Sequence, residues 1–432
     1  MPLFSQALLN PGVQKREVFG WAMYDFANSG YTTVVLTAVF NAYFVGVVAG
    51  NAAWATLAWT LTLAASNALV VLLMPALGAW GDVHAAKKKL LACATAGCVL
   101  GCAMLAACGR DDVALAVAAV LVSNAFYSAG ESLIAAFLPE LARRDAMGRV
   151  SGWGWSFGYF GGMLTLGLSL AYVLWAQAQG QRAEQFVPVT MAITGVLYAV
   201  ASLATFILLR ERAQPQQPVA GRGTGVLDSL RRLRGSWQAT RRYPDFGRLL
   251  ACTVAYQAGI AVVVALAAVY AEQALGFKQT ETMALIFLVN IASALGAFAF
   301  GYWQDRAGHK RTLGWTLVGW IAMTLLAWAA TGPGLFWCAA VLAGLCMGSS
   351  QSAGRALVGL LAPPQRLAEF FGLWTLATRL AAIAGPVTYG LVTWATGGNH
   401  RLAIAATGLF FVLGLVLLKP LDLQRGQGAA AA

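Results

Sequence analysis

Twelve apolar blocks, each long enough to cross a lipid bilayer, constrain this 432-residue chain more than any other feature of its sequence. A bilayer core of about 30 Å needs about 20 predominantly apolar residues per helix. The blocks lie at 19–48, 54–80, 90–108, 112–138, 150–176 and 188–209, and then at 248–272, 280–303, 312–331, 334–361, 370–395 and 400–418. Only 11% of the residues are charged, against roughly a quarter in soluble proteins. We therefore predict an all-α integral membrane protein with twelve transmembrane helices.

Lysine and arginine are spread unevenly over the predicted loops, and this indicates the orientation of the chain. If the N-terminus is cytoplasmic, most of the 29 basic residues lie in cytoplasmic segments. The loops on the opposite side contain only Arg110, Arg182, Lys278 and Arg401. The basic excess is thus a topology signal, which argues against nucleic acid as a partner. We expect both termini to be cytoplasmic and the protein to reside in the plasma (inner) membrane, with the lipid bilayer and a small-molecule substrate as its partners.

The segments around the second and eighth blocks repeat one pattern at a fixed interval of 223 residues. The pairs at this interval are Asn67 and Asn290, Gly78 and Gly301, Asp82 and Asp305, Lys87 and Lys310, and Lys88 and Arg311. Five coincident positions favour a duplicated six-helix unit, with halves 1–209 and 248–432 in the same orientation. The second repeated loop also contains Arg306. In both loops we expect the aspartate to cap a neighbouring helix and to pair with nearby cations, which would favour the state that is closed on the cytoplasmic side.

The hydrophilic segment 210–247 joins the two halves. Five apolar residues recur in it at helical spacing among arginines: Val226, Leu227, Leu230, Leu233 and Trp237. This pattern is typical of a helix that lies on an anionic membrane surface. A plain charged linker explains the same composition, and both interpretations stay open.

Charged and amide residues are absent from almost all of every third block. Blocks three, six, nine and, after its first two residues, twelve contain no Asp, Glu, Lys, Arg, Asn or Gln, whereas most of the others contain at least one of them. Because a charge at the centre of a bilayer is costly, the polar helices should face protein or a wet cavity. Every third helix is then free to face lipid, an arrangement typical of a transporter.

Several motifs resemble those of the major facilitator superfamily. Residues 301–311 read Gly-Tyr-Trp-Gln-Asp-Arg-Ala-Gly-His-Lys-Arg, similar to the loop signature of that superfamily. Residues 21–29 read Trp-Ala-Met-Tyr-Asp-Phe-Ala-Asn-Ser and resemble the opening of its vacuole-effluxer branch. The segments 138–140, 148–154, 158–162, 351–355, 369–373 and 385–386 are similar to that branch as well. The resemblance implies a major facilitator fold, a cavity lined mainly by helices one, four, seven and ten, alternating access, and export of amino acids.

Four charged residues inside the blocks are the main candidates for the site. Asp25 and Glu131 belong to the first half and Arg355 and Arg379 to the second, and all lie at comparable depth. We predict that acids and bases attract one another across the cavity and help to close its cytoplasmic side. Protonation of an acid would weaken this attraction, so protons are a candidate coupling ion. The alternative is a fixed ion pair within one half. For an amino-acid substrate, we assign the carboxylate to Arg379 and the ammonium to Asp25 or Glu131.

Aromatic and amide side chains complete the candidate site. The aromatic candidates for apolar or cation-binding walls are Tyr24, Tyr127, Trp155 and Trp374. The amide candidates, for the cavity lining or for hydrogen bonds between helices, are Asn28, Asn67, Gln257, Asn290 and Gln351. For each of these residues, ordinary packing between helices is the alternative role.

The sequence lacks motifs for catalysis. It contains no phosphate-binding Gly-x-x-x-x-Gly-Lys-Ser/Thr, no His-Glu-x-x-His and no Gly-x-Ser-x-Gly. Its seven cysteines form no Cys-x-x-Cys pair. We expect neither an enzyme nor a cofactor or metal site. The predicted function is a secondary active transporter that exports amino acids or similar small zwitterions. The alternatives are a permease for another polar metabolite or a peptide-like fragment, and a non-transporting receptor or scaffold with the same fold.

Overall fold

The computed structural model describes residues 5–50, 52, 54–213, 242–275, 277, 279–397 and 399–431. Twelve long helices account for most of these residues. Their bounds are α1 Lys15–Val48, α2 Ala55–His84, α3 Lys87–Ala106, α4 Val113–Ala135, α5 Met147–Ala178, α6 Ala183–Leu208, α7 Pro244–Leu275, α8 Gln279–Ala307, α9 His309–Ala329, α10 Pro333–Leu361, α11 Leu367–Ala395 and α12 His400–Leu418. A short terminal helix, α13, spans Leu423–Ala431.

Eleven of these helices are long and apolar enough, by length and composition, to cross a membrane. The twelfth, α2, has 30 residues and contains the apolar stretch Leu61–Met74. The prediction of an all-α membrane protein with twelve spanning helices is therefore confirmed. Exposed apolar side chains on α6 and α12, such as Ile207 and Leu409, lie where lipid would contact the bundle.

The two repeated loops are shorter than the sequence indicates, because the helices continue through most of the motif. Helix α2 runs to His84, and only Ala85 and Ala86 separate it from α3. Gly308 alone separates α8 from α9, and its φ of 94° is the left-handed value that glycine adopts at little cost. Each motif is thus a tight corner between two helices.

Helix packing divides the bundle into two groups. Helix α1 packs on α5 and α6, and α3 packs on α4 and α6. In the second group, α7 packs on α11 and α12, and α8 and α9 pack on α10. Contacts between the groups run mainly through α2 with α11 and through α5 with α8 and α10. The proposed domain bounds 1–209 and 248–432 stay a prediction, and most of the linker, including its candidate interfacial helix, lies outside the described residues.

Both described ends of the chain are attached to the same end of the bundle, which also carries the α2–α3 and α8–α9 corners. We call it the latch end. Asn10 donates from its side-chain amide to the carbonyls of Pro139 and Glu140, just after α4. At the other terminus, Arg425 of α13 binds Asp245 at the start of α7. The opposite end of the bundle is called the far end.

Candidate functional site

A cavity of about 560 Å³ lies between the two groups of helices. Its charged lining residues among those described are Asp25, Glu131 and Arg355. The lining also includes Thr37 and Val264, whose side chains are exposed, so the cavity reaches the surface at the far end. Towards the latch end, the two groups of helices touch. The cavity is therefore a pathway that is closed at one end.

Helix α1 is distorted where it borders the cavity. Residues 32–38 and 44–48 form π-helical turns, in which the backbone hydrogen bonds skip one residue more than in an α-helix. Thr32 and Thr33 donate their hydroxyl hydrogens to the carbonyls of Asn28 and Ser29, four residues earlier. Threonines that bind the preceding turn in this way often bend a helix. The wider turns, which are frequent at functional sites, place hydroxyl groups along the wall.

The most buried charged pair of the cavity joins the two groups of helices. Arg355 of α10 donates from Nη1 to Oδ2 of Asp25 on α1 at 2.7 Å, and the two side chains are 3% and 11% exposed. The guanidinium lies between the rings of Trp21 and Trp155, 4.9 Å from each ring centroid. Two cation–π contacts and an ion pair thus offset the cost of burying Arg355.

Gly154 makes this arrangement sterically possible. A Cβ at this position on α5 would lie 2.5 Å from Oδ2 of Asp25 and 2.6 Å from the ring of Trp21. Only a hydrogen fits there. The glycine therefore lets α5 approach α1 closely enough for Trp155 to cover the guanidinium of Arg355.

A second acid–base pair also joins the two groups. Arg379 of α11 donates from Nη2 to Oε2 of Glu131 on α4 at 2.7 Å, and its guanidinium lies 5.8 Å from the centroid of the Tyr127 ring. This pair is less buried, with exposures of 15% for Arg379 and 30% for Glu131. Glu131 and Tyr127 line the cavity, whereas Arg379 lies behind Glu131 and is not part of the described lining. The structure thus places Glu131 on the wall and Arg379 behind it, and the assignment of a substrate carboxylate to Arg379 stays a prediction.

Several buried donors at the cavity have no hydrogen-bond partner within the described ranges. They are Nδ2 of Asn28, Nε1 of Trp155, Nε and Nη2 of Arg355, and Nε1 of Trp374. The Nε–H and Nη2–H groups of an arginine point in the same direction along one edge of the guanidinium, which matches the two oxygens of a carboxylate. Because buried polar groups are normally paired, this edge is a candidate anion site.

Two other candidates, Tyr24 and Gln257, lie around the cavity rather than on its wall. Tyr24 does not line the cavity, because its hydroxyl is buried and bonded to Thr95 and Tyr198 inside the first group of helices. Gln257 is outside the lining as well and donates to Oε1 of Gln351, which does line the cavity, at 2.8 Å. These placements correct the expectation of a wall position for Tyr24 and give Gln257 the alternative role of an interhelical hydrogen bond.

The two repeated aspartates each bind the start of a helix in the opposite group. Asp82 on α2 accepts from the backbone N–H of Glu369 near the start of α11 at 3.1 Å. Asp305 on α8 accepts from the N–H groups of Gly148 and Arg149 at the start of α5, at 2.8 and 3.1 Å. A carboxylate at a helix N-terminus is favoured by the helix dipole and by the free N–H groups. We call these two contacts the latches.

The latches differ in their charge partners. Arg149 also donates from Nε to Asp305 at 2.7 Å. Asp82 has no ion pair among the described residues, because the buried Lys87 binds Glu140 of its own group instead. The charge of Lys87 still acts on Asp82 without a direct contact, and the expected pairing of Asp82 with a cation stays a prediction. The repeated glycines allow close approach at both latches: a Cβ on Gly78 would lie 2.5 Å from the carbonyl oxygen of Ala368, and one on Gly301 would lie 3.1 Å from that of Gly148.

The remaining basic residues of the second corner do not reach the latches. Lys310 donates to the carbonyl oxygens of Lys419 and Leu421 at 2.8 and 2.6 Å, which fixes the end of α12. Arg306 and Arg311 are exposed, and the described part of the chain offers them no ion pair.

In the first group of helices, Arg212 lies just after α6 and binds Glu17 of α1, and this hydrogen bond raises the pKa of the guanidinium. These contacts hold each group of helices together internally.

Trp21, Tyr159 and the π-helical threonines belong to the site although they are not among its predicted residues. Trp21 lies four residues before Asp25 and therefore on the same face of α1, a spacing that could have indicated its contact with Arg355. Tyr159 lies four residues after Trp155 on α5 and lines the cavity for the same reason. The π-helical turns leave no comparable signal in the residue pattern.

A family model described as vacuole effluxer Atg22-like matches residues 13–431. The chain belongs to this family. It is 25% identical over 405 residues to the uncharacterized MFS-type transporter YxiO of Bacillus subtilis, covering 92% of this chain and 93% of that protein. It is 24% identical over 306 residues to autophagy-related protein 22-1 of Aspergillus fumigatus, covering 66% of this chain and 49% of the fungal protein. The chain thus spans about half the length of that fungal relative.

Solved structures of low sequence identity show the same fold. The human organic anion transporter MFSD10 superposes with a TM-score of 0.76 at 15% identity, covering 94% of this chain and 99% of that one. A bacterial homologue of the iron transporter ferroportin, in an outward-facing state, gives 0.71 at 16% identity, with coverage of 94% and 99%. The prediction of a major facilitator fold in the vacuole-effluxer branch is confirmed. The protein is an integral membrane transporter of major facilitator type.

Proposed function

We propose that this transporter exports amino acids or similar small zwitterions by alternating access. One observation carries the proposal: acids of one helix group meet arginines of the other at the closed end of a cavity that reaches the surface. Groups of opposite charge that both line a wet pathway suit a substrate that carries both charges. The geometry also supports a rocking movement, since separation of the two groups of helices has to break both pairs.

In the proposed complex, the free edge of Arg355 binds the substrate carboxylate. Its Nε and Nη2 are the buried, unpartnered donors, while Nη1 keeps its bond to Asp25. Glu131 is the more exposed of the two acids and offers its carboxylate to the ammonium group. The substrate carboxylate thus binds Arg355 while the bond to Asp25 is still in place. The substrate ammonium competes with Arg379 for the carboxylate of Glu131.

Protons are the proposed coupling ion. A proton on Asp25 or Glu131 removes the negative charge that holds the facing arginine and weakens the attraction between the helix groups. The latch end then opens more easily. On this model the protonation state of the acids decides which end of the pathway is open.

We propose that the latch end faces the cytoplasm of a plasma (inner) membrane. The excess of lysine and arginine on that side supports this orientation. The far end, where the cavity reaches the surface, then faces outwards, and both termini are cytoplasmic.

The test is transport by the purified chain in proteoliposomes loaded with a panel of radiolabelled amino acids, with and without a pH gradient. We expect gradient-dependent movement of at least one amino acid, and its loss in Arg355→Met. Arg110→Met is the matched control, because Arg110 forms an exposed pair with Glu184 far from the cavity. Equal transport by Arg355→Met and the parent protein would refute the assigned role. No movement of any solute would favour a receptor or scaffold.

A further inference from the structure

The unpartnered groups around the cavity have one chemical property in common. Every buried polar atom of the described lining residues that lacks a hydrogen-bond partner is a nitrogen donor. A free amino acid with an apolar side chain offers one carboxylate as its only acceptor group, and the edge of Arg355 is enough to bind it. The indole N–H groups of Trp155 and Trp374 then still need an acceptor. We propose that the preferred substrate is a short peptide, whose backbone carbonyls supply it; this rests on the transport function proposed above.

The charge of the cavity favours a neutral second acceptor. Arg355 is the one cation among the lining residues that the structure describes, whereas Asp25 and Glu131 both line the cavity as acids. A second carboxylate on the substrate would have no cation to balance it and would face these acids. An indole N–H is uncharged and pairs well with a neutral carbonyl oxygen. A peptide group therefore fits this position better than a dicarboxylate does.

The size and the walls of the cavity agree with a peptide. Its volume of about 560 Å³ lies within the range of roughly 300–1,000 Å³ in which proteins bind drug-sized ligands, which are closer in size to a dipeptide or tripeptide than to a single amino acid. Towards the far end, the second group of helices contributes an apolar wall that includes Val263, Leu285, Met323 and Phe336. We place the C-terminal carboxylate at Arg355, the first carbonyl at the indoles, the ammonium near Glu131 and the apolar side chains along this wall.

The test compares four ligands of the full-length protein in detergent by isothermal titration calorimetry. Leucine has the carboxylate and ammonium but no peptide group, and alanyl-leucine has all three. N-acetyl-leucine lacks the ammonium, and the methyl ester of alanyl-leucine lacks the carboxylate. Each indole bond to a carbonyl is worth about threefold to tenfold in affinity. We expect alanyl-leucine to bind about tenfold or more tighter than leucine, N-acetyl-leucine to fall between them, and the ester to bind weakest.

A variant separates the indole bond from the ring. Trp155→Phe keeps an aromatic ring over Arg355 but removes the N–H, and we expect the preference for alanyl-leucine over leucine to fall about threefold to tenfold. Trp394→Phe is the matched control, because Trp394 is 82% exposed and is not a lining residue. The ligand ranking of the parent protein tests the proposal even if Trp155→Phe does not fold.

Two results would overturn the inference, and they can be told apart. If leucine binds as tightly as alanyl-leucine and Trp155→Phe leaves their ratio unchanged, the peptide preference is wrong but transport of amino acids stands. If none of the four ligands binds, while the same protein also moves no amino acid in proteoliposomes, the proposed function fails together with the inference.

Discussion

Replacing Asp25 with alanine removes the partner of a buried guanidinium, and the structure allows the consequence to be worked out. Loss of one partner from a buried pair costs about 3–5 kcal/mol, because the remaining charge has no compensation. The side chains of Arg355 and Asp25 are 3% and 11% exposed, so the pair qualifies as buried. The two tryptophan rings stay in place and retain part of the stabilisation, which favours the lower value of about 3 kcal/mol.

This cost falls on the state that is closed at the latch end, because the pair joins opposite groups of helices. A change of about 3 kcal/mol corresponds to about a hundredfold shift in the ratio of two conformations. Opening of the latch end can be followed at Ser151, which is buried and donates its hydroxyl hydrogen to the carbonyl of Ser352 across the two groups at 2.9 Å. We expect Asp25→Ala to raise the rate of maleimide labelling at Ser151→Cys by up to about a hundredfold.

The assay needs a background in which the exposed cysteines, Cys93 and Cys338, are replaced with serine. The double variant Asp25→Ala/Arg355→Met decides the mechanism, because removing both charges also removes the cost of burying one alone. Its labelling rate should fall back towards that of the parent. Labelling of Asp25→Ala at the parent rate, or a double variant that labels faster than either single variant, would refute the reasoning. Glu184→Ala, at an exposed pair, is the control.

Three further substitutions test the contacts around the site. Gly154→Ala places a Cβ 2.5 Å from the Asp25 carboxylate and should destabilise the protein by about 1–3 kcal/mol, measured as a lower melting temperature, whereas Gly167→Ala, with open space around it, should have little effect. Asp305→Asn weakens two backbone bonds and an ion pair and should speed labelling at the latch end; an unchanged rate would contradict the role of this latch. Lys87→Met removes the ion-pair partner of Glu140, which keeps the backbone N–H and the nearby charge of Arg212, and should lower the melting temperature by an amount that corresponds to about 3 kcal/mol, the lower end of the range for a broken buried pair.

The sequence predicts the helices of this protein well because the bilayer sets their length. Their ends are less predictable, since the helices continue into water for several residues. Block 150–176, for example, is part of the longer helix Met147–Ala178. Hydropathy detects only the part in the membrane. The tightness of the corner after α2 is not predicted either, because Ala85 adopts a φ of 48°, and alanine gives no sign in the sequence that it will take this conformation.

The depth of a residue in the membrane can be predicted from the sequence, but the direction in which its side chain points cannot. Successive residues of an α-helix point about 100° apart. Asp25 lines the cavity, and Tyr24, one position earlier, therefore points into the first group of helices. Arg355 and Arg379 lie at similar depths, but only Arg355 is on the face of its helix that borders the cavity. Deciding between such residues requires the rotation of each helix about its axis, which is set by packing with its neighbours.

The fold is duplicated, but its charges are not, and this difference bears on how the transporter works. The latch aspartates obey the repeat: Asp82 binds the start of α11, and Asp305 binds the start of α5. The cavity charges do not, because both acids belong to the first group of helices and both arginines to the second. Equivalent latches at equivalent corners allow the two groups to separate symmetrically. Opposite charges face each other across the two groups of helices, so in the proposed mechanism a proton or a charged substrate changes the attraction that opposes this separation.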